Sequence, residues 1–294
     1  MDKFNDIDIK AISMFNDGLS LTKIAKELSV DRYCLGQRLK KKFGIDPSLK
    51  QNNKRYKVDS NFFDFMNTEN KFYWLGFIFA DGHMRTQSNS LEIGLSIKDQ
   101  NHLNKFLNDL NSDYPIRTKR CKIGLRVYDS CNISICDKAL YNSLIKLGCT
   151  NNKTYNLTFP NITDKSMLAH FIRGFFDGDG GIAVAKDTDR ITRLTVTAYS
   201  EQILEEFANL IKIILPDFQY SVRRKKGTNS VSLYVEKIEY ILELLGIMYQ
   251  NCTIYLDRKK DLYIKNAAYR RNSTRKLRAK SVEVPSAEHN TEVS

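Results

Sequence analysis

The chain has 294 residues, with 46 Lys and Arg against 34 Asp and Glu, and a formal net charge of +12 at pH 7. This length exceeds that of a typical single domain, so we expect two or three folded units. A composition of 42% hydrophobic residues with only five prolines excludes global disorder and a fibrous protein. The positive charge indicates a polyanionic partner, nucleic acid before an anionic membrane surface; the alternative is a basic protein kept soluble by its charge.

The charge is concentrated at the two ends. Residues 1–58 hold 13 basic and 7 acidic residues, and residues 265–294 hold 7 and 3. The N-terminus lacks the apolar segment of a signal peptide, and no run of about 18 apolar residues exists, so we expect a cytoplasmic protein without a membrane partner. The cysteines form no C-x-x-C pair, which favours reduced thiols over a disulfide framework or zinc site. They are Cys34, Cys121, Cys131, Cys136, Cys149 and Cys252.

In residues 1–45 the apolar residues are spaced as in three short helices. Ile9, Ile12 and Phe15 recur at helical intervals and predict the buried face of the first helix. Ser20 is placed to cap a second helix over residues 21–28, and Asp31 a third helix that runs to about residue 43. The expected inward positions of the third helix are Leu35, Leu39 and Phe43.

This pattern resembles a helix-turn-helix of the resolvase or sigma-factor type, and residues 18–30 carry most of the resemblance. Arg and Gln can read base edges, and Lys and Tyr can hold phosphates. A three-helix interaction bundle is the alternative. A basic linker over residues 46–60 would follow. The residues that the third helix would present to DNA are Arg32, Tyr33, Gln37, Arg38 and Lys40.

An internal repeat with an offset of 98 residues organises the rest of the chain. Each copy predicts the order αββαββα over about 100 residues, at 61–160 and at 161–264. Strands are expected near 84–97, 115–135, 182–198 and 219–235, and helices near 100–110, 137–147, 200–215 and 236–248. The aligned nonapeptides are Trp74-Leu75-Gly76-Phe77-Ile78-Phe79-Ala80-Asp81-Gly82 and Ile172-Arg173-Gly174-Phe175-Phe176-Asp177-Gly178-Asp179-Gly180.

The repeated nonapeptide predicts a chemical site. Gly76 and Gly174 lack a side chain on one helical face, so two such helices can pack backbone to backbone. Pairing about a pseudo-two-fold axis would bring Asp81 and Asp179 together, and two neighbouring carboxylates favour a hard divalent cation such as Mg²⁺. Only the eighth position is acidic in both copies, so Asp177 is expected to have a supporting role. A simple helix-ending turn is the alternative.

The two nonapeptides resemble the motifs of the LAGLIDADG homing endonucleases in their single-chain, two-repeat form. The resemblance covers residues 59–264 and includes residues 251–260, which are similar to the C-terminal end of many members. It implies an α+β fold of two pseudo-symmetric αββαββα halves, whose saddle-shaped antiparallel sheets lie in the DNA major groove. Asp81 and Asp179 would bind Mg²⁺, with Mn²⁺ as a substitute, and the carbonyls of Ala80 and Gly178 would assist. Cleavage across the minor groove would leave short 3′ overhangs.

The resemblance also implies a lysine at the end of the second strand, where Lys98 lies; its counterpart in the second copy is Tyr199. The implied partner is double-stranded DNA with a long asymmetric site, cut by a monomer. An RNA maturase that assists intron splicing and a non-cleaving DNA-binding regulator are the alternatives. A basic, disordered tail is expected over residues 265–294. Basic residues of the hairpins are expected on the DNA-facing surface: Arg117, Lys119, Arg120, Arg126, Arg190, Arg193, Arg223, Arg224 and Lys225.

Overall fold

The structure, a computed structural model, describes residues 3–16, 19–45, 56–123, 126–151, 157–224 and 227–268. Most of the expected linker and tail, together with Lys225, lies outside these residues. The chain divides into two compact units, Met1–Lys57 and Val58–Ser294. In the described part of the chain, no helix has both the length and the apolar character needed to cross a bilayer.

The N-terminal unit contains the three expected helices. The Ser20 hydroxyl accepts a hydrogen bond from the Lys23 amide at 3.4 Å, and the Asp31 carboxylate accepts one from the Cys34 amide at 2.8 Å. Both side chains therefore cap the helices that they were predicted to begin. The helices are α1 (Lys3–Asn16), α2 (Leu21–Glu27) and α3 (Arg32–Phe43), around a core of Ala11, Phe15, Ile24, Ala25, Leu35 and Leu39.

Two expectations about the buried faces of this unit are wrong. Ile9 is 57% exposed, and Asp8 is buried in its place. The Arg38 guanidinium donates to the Asp8 carboxylate at 3.0 Å, and Asp8, Ala11 and Phe15 form the buried face of α1. Arg38 consequently joins α1 to α3 and is not presented to a partner as expected. Phe43, at the end of α3, is 38% exposed rather than inward.

The second unit has the predicted repeat. The first half consists of α4 (Glu69–Asp81), β1 (Gly82–Arg85), β2 (Ser90–Ser96), α5 (Gln100–Asp109), β3 (Arg117–Ile123), β4 (Arg126–Cys136) and α6 (Lys138–Lys146). The second half consists of α7 (Lys165–Asp179), β5 (Gly180–Val184), β6 (Ile191–Ala198), α8 (Glu201–Ile214), β7 (Ser221–Arg224), β8 (Val231–Val235) and α9 (Ile238–Tyr249). A further helix, α10, covers 257–268 and was not predicted.

Each half builds one antiparallel four-stranded sheet, with the orders β1-β2-β4-β3 and β5-β6-β8-β7. The two-half α+β fold is therefore confirmed. Alternate residues of the inner strands, such as Ile93 and Ile133 or Val196 and Leu233, pair in register and face the core. The intervening residues form a polar face on each sheet. We define the first polar face by Ser96, Ser130, Asn132, Arg117 and Lys119, and the second by Thr195, Thr197, Ser232, Tyr234, Arg193 and Arg223.

Candidate functional site

The motif helices α4 and α7 pack against each other through their glycines. A Cβ atom on Gly76 would overlap the carbonyl oxygen of Phe171, and a Cβ on Gly174 would overlap the carbonyl oxygen of Tyr73. Each obstructing residue lies three positions before the glycine of its own helix, so the contact is reciprocal. Because any side chain would push the two backbones apart, the contact requires glycine at both positions.

The close contact brings the acidic ends of α4 and α7 to one place. Asp81 and Asp179 are the last residues of these helices, and both are half-buried. A Cβ atom on Gly178 would overlap the methyl group of Ala80 and would lie 3.3 Å from Oδ2 of Asp81. The carboxylate of the first motif therefore lies beside the backbone of the second.

Two grooves open at these helix ends. The Asp81 groove, of about 740 Å³, is lined by Asp81, Gly178, Lys98, Arg258, Asp99 and Asp129, among others. The Asp179 groove, of about 440 Å³, is lined by Asp179, Gly178, Ala80, Tyr199 and Thr197, among others. Gly178 lines both grooves. Lys98 and its sequence counterpart Tyr199 thus lie in different grooves, one beside each acid.

The donor set suits a hard cation. Among the described residues, no three or more His, Cys, Asp or Glu side chains come together as a metal cluster. Each groove instead offers one motif carboxylate, Asp81 or Asp179, beside the backbone of Gly178 and, in the Asp179 groove, of Ala80. These oxygen ligands fit Mg²⁺, which keeps several waters and commonly uses one or two carboxylates plus substrate phosphates. The cysteine side chains that are described carry free thiols and lie outside both grooves.

Asp177 has the supporting position expected for it. Its carboxylate is buried and accepts hydrogen bonds from the Tyr73 hydroxyl at 2.8 Å, the Tyr249 hydroxyl at 2.5 Å and the Leu256 amide at 2.8 Å. Burial raises the pKa of Asp177, and the nearby charge of Lys259 opposes that rise. Asp177 therefore joins α4, α9 and the segment before α10, and most of its oxygen acceptor sites are already used.

Lys259 was missed by the sequence reasoning. Its ammonium, 1% exposed as a residue, donates to the carbonyl oxygens of Phe176 at 2.5 Å, Asp177 at 2.9 Å and Gly180 at 2.6 Å. Burial lowers the pKa of Lys259 to about 8, while the carboxylates of Asp177, Asp81 and Asp179 oppose that change. Leu256, Lys259 and Asn266 are buried and recur at helical spacing, which places the lysine on the inner face of α10. In the sequence this lysine belongs to the charged run over residues 257–260, which does not indicate its burial.

The segment before α10 is tied to both motif helices. The buried Arg173 of α7 pairs with Glu69 of α4 at 2.6 Å, and its Nε donates to the Ile254 carbonyl at 3.0 Å. Glu69 in turn accepts a hydrogen bond from the Thr253 amide at 2.8 Å. Residues 253–256 therefore join α4 and α7 at two places along the helices. One is the Glu69–Arg173 pair, and the other is the contact of Leu256 with Asp177, which lies closer to Asp81 and Asp179.

The basic residues of the first sheet divide between its two faces. Arg117 and Lys119 are exposed and pair in register with Asn132 and Ser130, so they belong to the polar face. Arg120 is out of phase with these two residues along β3, so it lies on the other face of the sheet, where it pairs with Asp129 at 3.1 Å. The expectation that all these residues share one surface is therefore wrong for Arg120. The side chain of Arg126 lies outside the described part of the chain.

On the second sheet, Arg193 and Arg223 both lie over the ring of Tyr234, at 5.2 Å and 5.1 Å. Arg223 also pairs with Glu236 at 2.8 Å. These contacts pre-order two guanidinium groups on the polar face, in positions to bind phosphate or stack on bases. The exposed remainder of the expected set comprises Arg190 in the turn before β6, Arg224 on β7, and Arg32, Tyr33, Gln37 and Lys40 on α3.

Comparison with known proteins agrees with this fold. Residues 166–281 match the family described as "LAGLIDADG-like domain". The homing endonuclease I-WcaI bound to its DNA recognition sequence shares the fold at 14% identity and a TM-score of 0.50, over 72% of this chain and 94% of that one. The LAGLIDADG homing endonuclease I-GzeII in complex with its DNA target has 14% identity and a TM-score of 0.46, over 69% and 91%.

Full-length DUF199/WhiA from Thermatoga maritima is similar over 76% of this chain and 71% of its own, with 14% identity and a TM-score of 0.45. No curated protein matches by sequence. Two statements follow: residues 166–281 contain a LAGLIDADG-like domain, and the two-half fold, built here on glycine-packed motif helices, is shared with I-WcaI.

Proposed function

We propose that the chain is a site-specific endonuclease that hydrolyses both strands of double-stranded DNA with the help of divalent metal. One observation carries the proposal: Asp81 and Asp179 end two helices in backbone contact, and each lines a groove that also contains backbone of the other motif. Such a pair of half-buried acids is costly unless a cation or a hydrogen-bond donor compensates it.

The residues of the grooves suit phosphodiester hydrolysis. Asp81 and Asp179 would hold Mg²⁺ or Mn²⁺, with the carbonyl oxygens of Ala80 and Gly178. Bound there, the metal would supply charge neutralisation at the phosphate and an activated water. Lys98 is exposed in the Asp81 groove, where its ammonium can donate hydrogen bonds to a phosphate oxygen or orient a water.

The two polar faces support a DNA partner. Arg117 and Lys119 on one sheet and Arg193 and Arg223 on the other lie among Ser, Thr and Asn side chains, a mixture that can hold phosphates and contact base edges. Since one chain supplies two non-identical halves, a monomer would recognise a long asymmetric site. The capped helices of the N-terminal unit, with the exposed Arg32 and Lys40 on α3, would extend that site.

The test begins with selection of bound sequences from a random double-stranded library by the full chain in EDTA. The selected sites are then incubated with Mg²⁺ and the wild type, Asp81→Asn, Asp179→Asn or the control Asp217→Asn, which changes an exposed carboxylate in the turn after α8. We expect double-strand cuts with short 3′ overhangs from the wild type and the control, and a loss of at least about 100-fold from each motif variant. Specific binding without any cleavage, or cleavage by the motif variants at the wild-type rate, would overturn the proposal.

A further inference from the structure

The end of the second motif helix has an unusual stabilising group. An α-helix leaves its last carbonyl oxygens without intrahelical partners, and a cation at this end is favourable because of the helix dipole. At the end of α7 the ammonium of Lys259 binds the carbonyl oxygens of Phe176, Asp177 and Gly180. The three protons of one ammonium group thus match three backbone acceptors.

These three acceptors lie on both sides of the functional residues. Phe176 and Asp177 precede Gly178 and Asp179, and Gly180 follows them. The Nζ atom of Lys259 also lies 4.7 Å from the centre of the Phe176 ring, which limits its own movement. The backbone turn that presents the Asp179 carboxylate and the Gly178 carbonyl is therefore fixed at three points by one side chain.

Lys259 is in turn held through its own helix. Arg258, one residue earlier, contacts Asp99 of the first half at 3.2 Å, and Asp257 contacts Lys105 at 2.5 Å. These contacts fix the beginning of α10 against the first half, while Lys259 extends to the second motif. The position of the ammonium thus depends on the correct assembly of both halves.

We propose that Lys259 is a positioning residue, which acts through the backbone of residues 176–180 to fix Asp179 in its groove and Gly178, which lines both grooves. The inference rests on the proposed function for its consequence in catalysis, because a misplacement of about 1 Å can lower a rate by about 100-fold. It does not assign Lys259 any contact with DNA.

The test uses the full chain and compares Lys259→Met with Lys260→Met. Lys260 is a matched control because it belongs to the same helix and also donates a hydrogen bond to a backbone carbonyl, that of Tyr249, at 2.7 Å. That carbonyl is not part of the motif turn of residues 176–180. Hydrogen exchange of the backbone amides of residues 178–181 is the first readout. We expect exchange at least 10-fold faster in Lys259→Met than in the wild type, and unchanged in Lys260→Met.

Single-turnover cleavage at saturating DNA is the second readout. We expect the rate of Lys259→Met to fall about 100-fold while its Kd for DNA stays within about twofold of the wild type. Lys259→Gln keeps a hydrogen-bond donor and replaces the methionine variant if that one does not fold; we expect it to have an intermediate rate and intermediate exchange.

The two readouts separate the possible failures. If the wild type cuts no DNA, the proposed function fails, and the exchange measurement alone still decides whether Lys259 fixes the turn. Unchanged exchange at residues 178–181, or an equal acceleration throughout the second unit, would overturn the positioning role.

Discussion

The two halves of the second unit share a scaffold but differ in the chemistry around their acids. Gly76 and Gly174 make reciprocal contacts, and both sheets have the same strand order. The Asp81 groove contains the cationic side chains of Lys98 and Arg258, whereas the corresponding lining of the Asp179 groove contains Tyr199. Pseudo-symmetry is thus strict where the two backbones must meet, and relaxed where side chains line the grooves.

The sixth position of the motif shows the same contrast. In α4 it is Phe79, whose ring stacks with Phe159 and contacts Phe171 edge to face. In α7 it is Asp177, which is buried among two tyrosine hydroxyls and the amide of Leu256. Aromatic packing surrounds this position in the first half, and a polar network surrounds it in the second. The stability of the two halves should therefore respond differently to substitution and to pH.

The largest expected effect concerns the feature that the halves share. Gly76→Ala and Gly174→Ala each place a methyl group against a backbone carbonyl of the facing helix, so both should cost about 3 kcal/mol or more of the free energy of unfolding. Denaturant unfolding followed by circular dichroism measures the loss. Gly94→Ala is the control, since its Cβ would meet no atom closer than 4.0 Å. Equal stability of the control and the two motif variants would disprove the close packing.

The next effect tests the difference between the grooves. Lys98→Met removes the ammonium beside Asp81 and should slow cleavage of one strand by about 100-fold, so that nicked plasmid accumulates. Tyr199→Phe changes the counterpart in the other groove and should alter either strand by less than about threefold. Strand-specific end labels measure the two rates. Equal slowing of both strands by Lys98→Met would mean that the grooves do not act separately.

The polar network predicts a pH effect on stability. Because Tyr73 donates to Asp177, it accepts from Nε2–H of His102 at 2.9 Å, and Nδ1 of His102 has no hydrogen-bond partner in the described part of the chain. Burial lowers the pKa of His102 to about 3. As the pH falls, the His102 ring binds a proton near pH 6.5 in the unfolded chain but stays neutral in the folded chain. The stability that His102 contributes is therefore complete above pH 6.5 and decreases as the pH falls below that value.

Between pH 7 and pH 5 the decrease due to His102 should be about 2 kcal/mol. His102→Gln removes the titrating ring, so the free energy of unfolding of this variant should decrease by about 2 kcal/mol less than that of the wild type over the same pH range. Denaturant unfolding at several pH values measures the difference. His83→Gln, which removes an exposed imidazole of β1, is the matched control. A pH dependence of His102→Gln equal to that of the wild type would contradict this account of the buried ring.

The smallest effect concerns the polar faces. Arg117→Ala/Lys119→Ala removes two exposed cations from the first polar face and should weaken DNA binding about 10-fold, with a salt slope that falls by up to about 1.8. Arg120→Ala, on the opposite face of the same strand, is the control and should change affinity less than about twofold. Fluorescence anisotropy at several salt concentrations measures both. A larger loss of DNA affinity in Arg120→Ala than in Arg117→Ala/Lys119→Ala would indicate that DNA binds the opposite face of the first sheet.

The sequence predicted the fold well because the constraints on it are local and repeated. The glycines and acids of the motif recur at one offset, and strand periodicity together with the caps at Ser20 and Asp31 predicted where elements begin. Lys259 and α10 were missed because the charged run over residues 257–260 resembles a solvated surface. Only the folded chain shows that one of its lysines lies under the motif turn.

One error arose where a tertiary contact replaced a local preference. Asp8 pairs with Arg38 of α3 and takes the buried position on α1 that Ile9 was expected to fill. The two residues are 30 positions apart, so nothing in the local pattern indicates which charge will be used. The error at Arg120 has another cause: strand alternation places it on the opposite face from Arg117 and Lys119, where it pairs with Asp129.

The central claim, that Asp81 and Asp179 together hold a divalent cation against DNA, is tested most directly by calorimetric titration of Mn²⁺ into complexes of the full chain with a selected site. The wild type and the Asp217→Asn control should bind Mn²⁺ with equal affinity beyond that of the free DNA. Asp81→Asn/Asp179→Asn should bind DNA but lose this additional Mn²⁺ binding. Retention of the same Mn²⁺ binding by the double variant would contradict the account.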